Sequence, residues 1–119
     1  MTKERNTLGR YGENLAIGHL LDRGMCLLDR NWRCTAGEID AILRDGEILV
    51  FVEVKTRRTG DFGMPAEAVG YAKQVRLRRL AAIWLAQSGV RGPEVRFDVV
   101  SVVAPLDGPP QVEHLPGAF

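Results

Sequence analysis

The chain has 119 residues, 45% of them apolar and 26% charged, with a formal charge of +1. These are the values of one small globular domain spanning 1–119, and they exclude a disordered or fibrous chain. A balance so near neutral also excludes capture of polyanions by bulk attraction, so any contact with nucleic acid must come from local patches.

The longest apolar run, around Ile83 and Trp84, falls far short of a membrane span. The opening MTKERN carries both signs of charge with no apolar stretch behind it, so no secretory signal is expected. Cys26 and Cys34 lack metal-type spacing and read as reduced, partly buried thiols, which places the chain in the cytoplasm.

Residues 7–23 read as a helix, with Thr7 placed to cap it and Gly24 to end it. Gly9, Glu13, Ala16 and Leu20 form one stripe, whose small residues let a helix approach a sheet closely and carry Glu13 with them. His19 lies off that stripe and reads as a surface or packing residue. Met25 to Leu28 is a short apolar strand, followed by Trp32.

Gly37 to Arg57, GEIDAILRDGEILVFVEVKTR, reads as two strands joined at Asp45-Gly46, because Asp-Gly between alternating apolar residues marks a hairpin. In the second strand Ile48, Val50, Val52 and Val54 face one way, and Leu49, Phe51, Glu53 and Lys55 the other. With Asp45-Gly46 as the loop, Arg44 pairs with Glu47, Asp40 opposes Phe51 and Glu38 opposes Glu53. Glu38, Asp40, Glu53 and Lys55 then converge on one face. Two carboxylates about 4 Å apart repel by roughly 4 kcal/mol at an effective dielectric near 20, so this face calls for a hard divalent cation or a raised pKa. The bland alternative is a solvated hairpin end. Against it, the acids extend the apolar run ILVFV, and the chain spends one of only three lysines here, against thirteen arginines. A lysine is a compact donor whose chemistry arginine does not imitate.

Residues 57–64 read as a loop at the mouth of this site. A second helix is expected from Pro65 to about Ser88, with Gly89 beyond it. Its core stripe is Val69, Ala72, Leu80, Ile83 and Trp84, and Lys73 and Arg76 fall on the same stripe, where solvated charges would be misplaced. Glu94 to Ala104 alternates as a strand, in which Asp98 is expected to pair with an arginine. Pro105 to Pro110 is a turn and Val112 to Leu115 a short edge strand. A helix crossing between the third and fourth strands makes those two parallel in a mixed sheet.

G-E-I-D followed by V-F-V-E-V-K-T-R resembles the core motif of the PD-(D/E)xK nuclease superfamily. With GRYGENLA, the helix AKQVRLRRLAAIWL, the RFDVV strand and the terminal AF, the chain resembles more narrowly the YraN-type family of small bacterial proteins with a Holliday-junction-resolvase-like fold. The resemblance covers nearly the whole chain and implies a restriction-endonuclease-like α/β fold, a central mixed sheet flanked by helices with an αβββαβ core. It implies Asp40, Glu53 and Lys55 as the triad and Glu13 as an additional acid. Ile39 stands where the superfamily motif has proline. The resemblance further suggests that Gln74 touches the site.

The function expected is a Mg²⁺- or Mn²⁺-dependent nuclease acting on DNA, branched DNA included. Asp40, Glu53, the carbonyl of Val54 and Glu13 would hold metal, Lys55 would act on water or phosphate, and Arg57, Arg58, Lys73 and Arg76 would contact phosphates. The rival is a non-catalytic module on the same fold that binds nucleic acid or a protein. A third reading is structural, with the acids bridged by Arg57 or Arg58. So small a chain leaves little surface for grasping DNA, so a homodimer or a protein partner is expected.

Overall fold

The computed structural model describes residues 3–59, 69–92 and 94–119. Within them the order is α1 (Lys3–Asp22), β1 (Cys26–Cys34), β2 (Gly37–Asp45), β3 (Ile48–Arg57), α2 (Tyr71–Ser88), β4 (Glu94–Val103) and β5 (Gln111–Leu115). The five strands form one sheet in sequential order. β1–β2, β2–β3 and β4–β5 pair antiparallel, and β3–β4 pair parallel across α2. This is the mixed α/β sheet that the element order implied.

The alternation in β3 builds two cores. Val50 and Val52 join Ala41, Leu43, Val100 and Val102 under Ala16, Ile17 and Leu20 of α1. Leu49 and Phe51 join Ile42 and Phe97 under Leu77, Leu80, Ala81 and Trp84 of α2. A helix layer therefore covers each face of the sheet.

Three boundaries differ from expectation. α1 begins at Lys3, so Thr7 lies inside it rather than at its cap. β1 runs on to Cys34, beyond the apolar stretch, because pairing with β2 supports its polar half. α2 starts at Tyr71, with Val69 outside it and Gly70 extended at its cap, while Gly89 closes it in the left-handed region as expected (φ 72°). Leu77 rather than Ala72 fills the α2 core; Ala72 is exposed. The loop reading at 60–64 and the helix start at Pro65 lie outside the described residues.

Candidate active site

The β2–β3 hairpin turns one residue later than Asp-Gly suggested. Asp45 pairs with Ile48, leaving Gly46-Glu47 as the loop, with Gly46 at φ 60°. A two-residue loop with glycine first matches the strand twist as well as Asp-Gly does. The consequence is felt at the acids. The ladder runs down to Ala41↔Val52, and its continuation sets Asp40 across from Glu53, not Phe51. A displacement of two residues keeps the alternation of β3 in phase and brings Glu53, rather than Phe51, to the level of Asp40.

There the ladder gives way: the Val54 N–H donates to Asp40 Oδ2 at 2.8 Å. Burial, and next the Glu53 carboxylate, push the Asp40 carboxyl up to about 7 from 3.8; the Val54 N–H works against them, and Glu13 and Glu38 add to the rise. The repulsion expected between acids on these strands is thus present at Asp40.

Glu53, only 12% exposed in its side chain, accepts a hydrogen bond from Lys73 Nζ at 2.5 Å. The ammonium at the first turn of α2 compensates this acid, a task the structural reading gave to Arg57 or Arg58. Glu38 stays beside the acids but has a partner of its own. It faces Arg33 in β1 and pairs with Arg33 Nε at 3.0 Å.

Two depressions flank the acids. On the α1 side the lining includes Gly9, Arg10, Glu13, Asn31, Val54 and Thr56. On the α2 side it includes Cys34, Gly37, Lys73, Arg76, Leu77 and Leu80. Arg33, Glu38, Asp40 and Glu53 belong to both, so the carboxylates are reached from either side of the sheet.

Glu13 is brought to the acids by α1 but leans toward Arg30, 3.8 Å away. Among the described residues no three His, Cys, Asp or Glu side chains are grouped to hold a metal as they stand. The donor set nonetheless suits one. Mg²⁺ takes one or two protein carboxylates and keeps several waters, and Asp40 with Glu53 supplies two hard oxygen donors at a point where a cation, Lys73, already sits.

Lys55 follows Glu53 by two residues on the same side of β3, beside Ser101 of β4 and half-buried. Arg57 ends β3, exposed, and its carbonyl accepts the Ala104 N–H; Arg58 Nη1 donates to the Ala104 carbonyl at 3.4 Å. Lys55 and both arginines stand outside the lining of the two depressions. Gln74 donates to the Val69 carbonyl at 2.7 Å, bracing the approach to α2. Lys73 and Arg76 do line the α2-side depression.

Sequence reasoning missed Arg10, Asn31 and Arg33. The signal for Arg33 lay in the β1–β2 turn: with Thr35-Ala36 as the loop, Cys34 pairs with Gly37 and Arg33 falls opposite Glu38. Asp98 meets the arginine expected of it, Arg96, at 2.8 Å and 2.9 Å.

The model of the Uncharacterised protein family UPF0102 matches residues 12–102. The chain belongs to UPF0102. This is the YraN-type family whose motif it resembled. A UPF0102 protein of Frankia alni is 55% identical over 117 residues, covering 98% of each chain. One of Streptomyces griseus is 54% identical over 114 residues, covering 95% of this chain and 96% of its own. Among solved structures, Pyrococcus furiosus SfsA in complex with Ca²⁺ overlays with a TM-score of 0.45 at 18% identity, covering 93% of the UPF0102 chain and 64% of SfsA. No described helix of the UPF0102 chain is long and apolar enough to cross a membrane.

Proposed function

We infer that this UPF0102 protein is a metal-dependent phosphodiesterase acting on nucleic acid, DNA first. The observation that carries the reading is the facing pair Asp40 and Glu53, with Asp40 pushed up to about 7 by burial and by Glu53. A bound cation would offset the cost of such a pair by mass action.

Asp40 and Glu53 would hold Mg²⁺ or Mn²⁺, with the Val54 carbonyl and water completing the set and Glu13 contributing through water. A bound ion of this kind polarises a phosphoryl oxygen and lowers the pKa of water beside it. The rest is the work of the chain. Lys55, on the Glu53 side of β3, orients the attacking water and supports charge on the phosphate. Lys73, released from Glu53, and Arg76 contact the phosphate backbone, which positions a strand without reading its sequence. Arg57 and Arg58 serve the strand further along. Eight aromatics in the whole chain (Trp 2, Tyr 2, Phe 4) argue against a dedicated stacking platform.

The Lys73–Glu53 ion pair favours the rival, a non-catalytic binding module whose acids are neutralised internally. The deciding test is incubation of labelled linear, single-stranded and branched DNA with saturating Mg²⁺ or Mn²⁺. Cleavage by the wild type that is abolished in Lys55→Ala and in Glu53→Gln supports the enzyme. Binding without cleavage by the wild type under every ion and substrate would hand the site to the binding module.

A further inference from the structure

Apart from a bulge between Leu27 and Asp29 that is confined to β1, strand alternation breaks at one level of the β1–β2 ribbon, in both strands at once. In β2, Ala41 packs in the α1-side core, yet Ile39, two residues away, packs in the α2-side core. In β1, Arg30 reaches Asn14 and Glu13 of α1, yet Trp32 packs on the α2 side. Residues two apart on a regular strand share a face, so each strand turns between these positions. The pairs Arg30↔Ala41 and Trp32↔Ile39 bracket a single rung, Asn31 opposite Asp40. Asn31 carries φ 51°, the one non-glycine positive φ among the described residues, a region that asparagine enters more readily than most side chains.

We propose that Asn31 is the positioning residue for Asp40. Its left-handed backbone rotates the ribbon so that the Asp40 carboxylate leaves the face of the sheet. It enters the seam with β3, accepts the Val54 N–H at 2.8 Å and stands beside Glu53. This rests on Asp40 being a functional acid, the reading given above. It also explains why the acids are reached from both sides of the sheet, and why a polar residue in an unusual conformation lines the α1-side depression. Functional sites are where such conformations collect.

The test separates the backbone conformation from the side chain. Asn31→Gly keeps the left-handed conformation accessible, whereas Asn31→Val, β-branched, disfavours it strongly; Asn31→Ala is the milder form should Asn31→Val not fold. The primary readout is the amide resonance of Val54 in the metal-free protein, with Asp40→Ala marking the position of the unbonded amide. The resonance should stay at the wild-type position in Asn31→Gly and move toward the Asp40→Ala position in Asn31→Val or Asn31→Ala. Mn²⁺ affinity should change by less than threefold in Asn31→Gly and fall tenfold or more in the other two. A Val54 amide unmoved by valine and alanine, or an Asn31→Gly chain that shifts or unfolds as they do, overturns the proposal. If the amide behaves as stated but the wild type binds no Mn²⁺, the metal reading fails and the positioning role stands.

Discussion

Asp40 carries opposite consequences for stability and for function. Its carboxyl, at about 7 in the fold against an ordinary 3.8, binds a proton more readily folded than unfolded. The sign follows from linkage: stability is highest at low pH on this account and is lost as pH rises from about 4 through about 7. Asp40→Asn removes the charge and should raise the stability of the metal-free protein at pH 8 by about 1–3 kcal/mol, each pKa unit being worth about 1.4 kcal/mol. The same change should erase the rise in Tm that Mg²⁺ or Mn²⁺ gives the wild type. Thermal melts with and without ion check both. Lys73 is the converse case. Lys73→Met leaves Glu53 without its ammonium, so the metal-free protein should lose about 1 kcal/mol, a modest figure because the lysine is 42% exposed. The competing cation is gone, however, so the Tm increment from Mn²⁺ should exceed that of the wild type. A smaller increment would place Lys73 among groups that help the ion bind.

At the scale of elements, the close approach of α1 to the sheet depends on a glycine, though not the one the stripe suggested. A Cβ on Gly9 would meet nothing within 4 Å, whereas one on Gly12 would lie 1.8 Å from Thr56 Oγ1 and 2.7 Å from Thr56 Cβ. Gly12→Ala must push α1 off β3, one residue from Glu13. It should cost about 1–3 kcal/mol, as overpacking does. Thr56→Ala, which removes Oγ1 and Cγ2 but leaves Cβ, should restore part of the loss in a double-mutant cycle. What was legible here had a periodic signal. The alternation of Leu49, Phe51 and Glu53 against Val50, Val52 and Val54 located both cores and the acid face. The two-residue register error at Asp45-Gly46 came from two loops that share Gly46 and are nearly equal in local chemistry; the choice between them is made by pairing along the whole strand. Arg33 and Asn31 were missed for a related reason. The partner of each is set by the β1–β2 register, which only the Thr35-Ala36 turn signals, because β1's polar half has no pattern of its own.

At the scale of the whole molecule, the half-buried acids are joined on the sheet by a second polar cluster, centred on Asp98. There Asp98, fully buried, accepts from Arg96, from the Gly117 N–H at 2.9 Å, and meets His114 Nε2 at 2.7 Å. Burial would raise its pKa, but the Arg96, Gly117 and His114 hydrogen bonds outweigh that and hold it below the usual range. Asp98 therefore stabilises the fold above its unfolded pKa and loses that contribution as pH falls through its depressed folded value. Asp98→Asn leaves Arg96 with one fewer charge partner and should cost about 3 kcal/mol, read as a drop in Tm that narrows in acid. His19 lies edge-on to His114 at 6.5 Å. Burial, then Arg23 and His114, hold it below its ordinary 6.5. It adds a loss of stability below about pH 6.5 that opposes the trend from Asp40, so acid denaturation should steepen once Asp40→Asn removes the opposing term.

The central claim, that Asp40 and Glu53 hold one divalent ion, is tested most directly by calorimetric titration of the wild type with Mn²⁺ at pH 6. Asp40→Asn and Glu53→Gln are titrated alongside. A single site that releases a proton as it fills, because Asp40 is largely protonated at that pH, and that is lost in both variants, is the result predicted. No binding by the wild type, or the same isotherm in all three proteins, would contradict it.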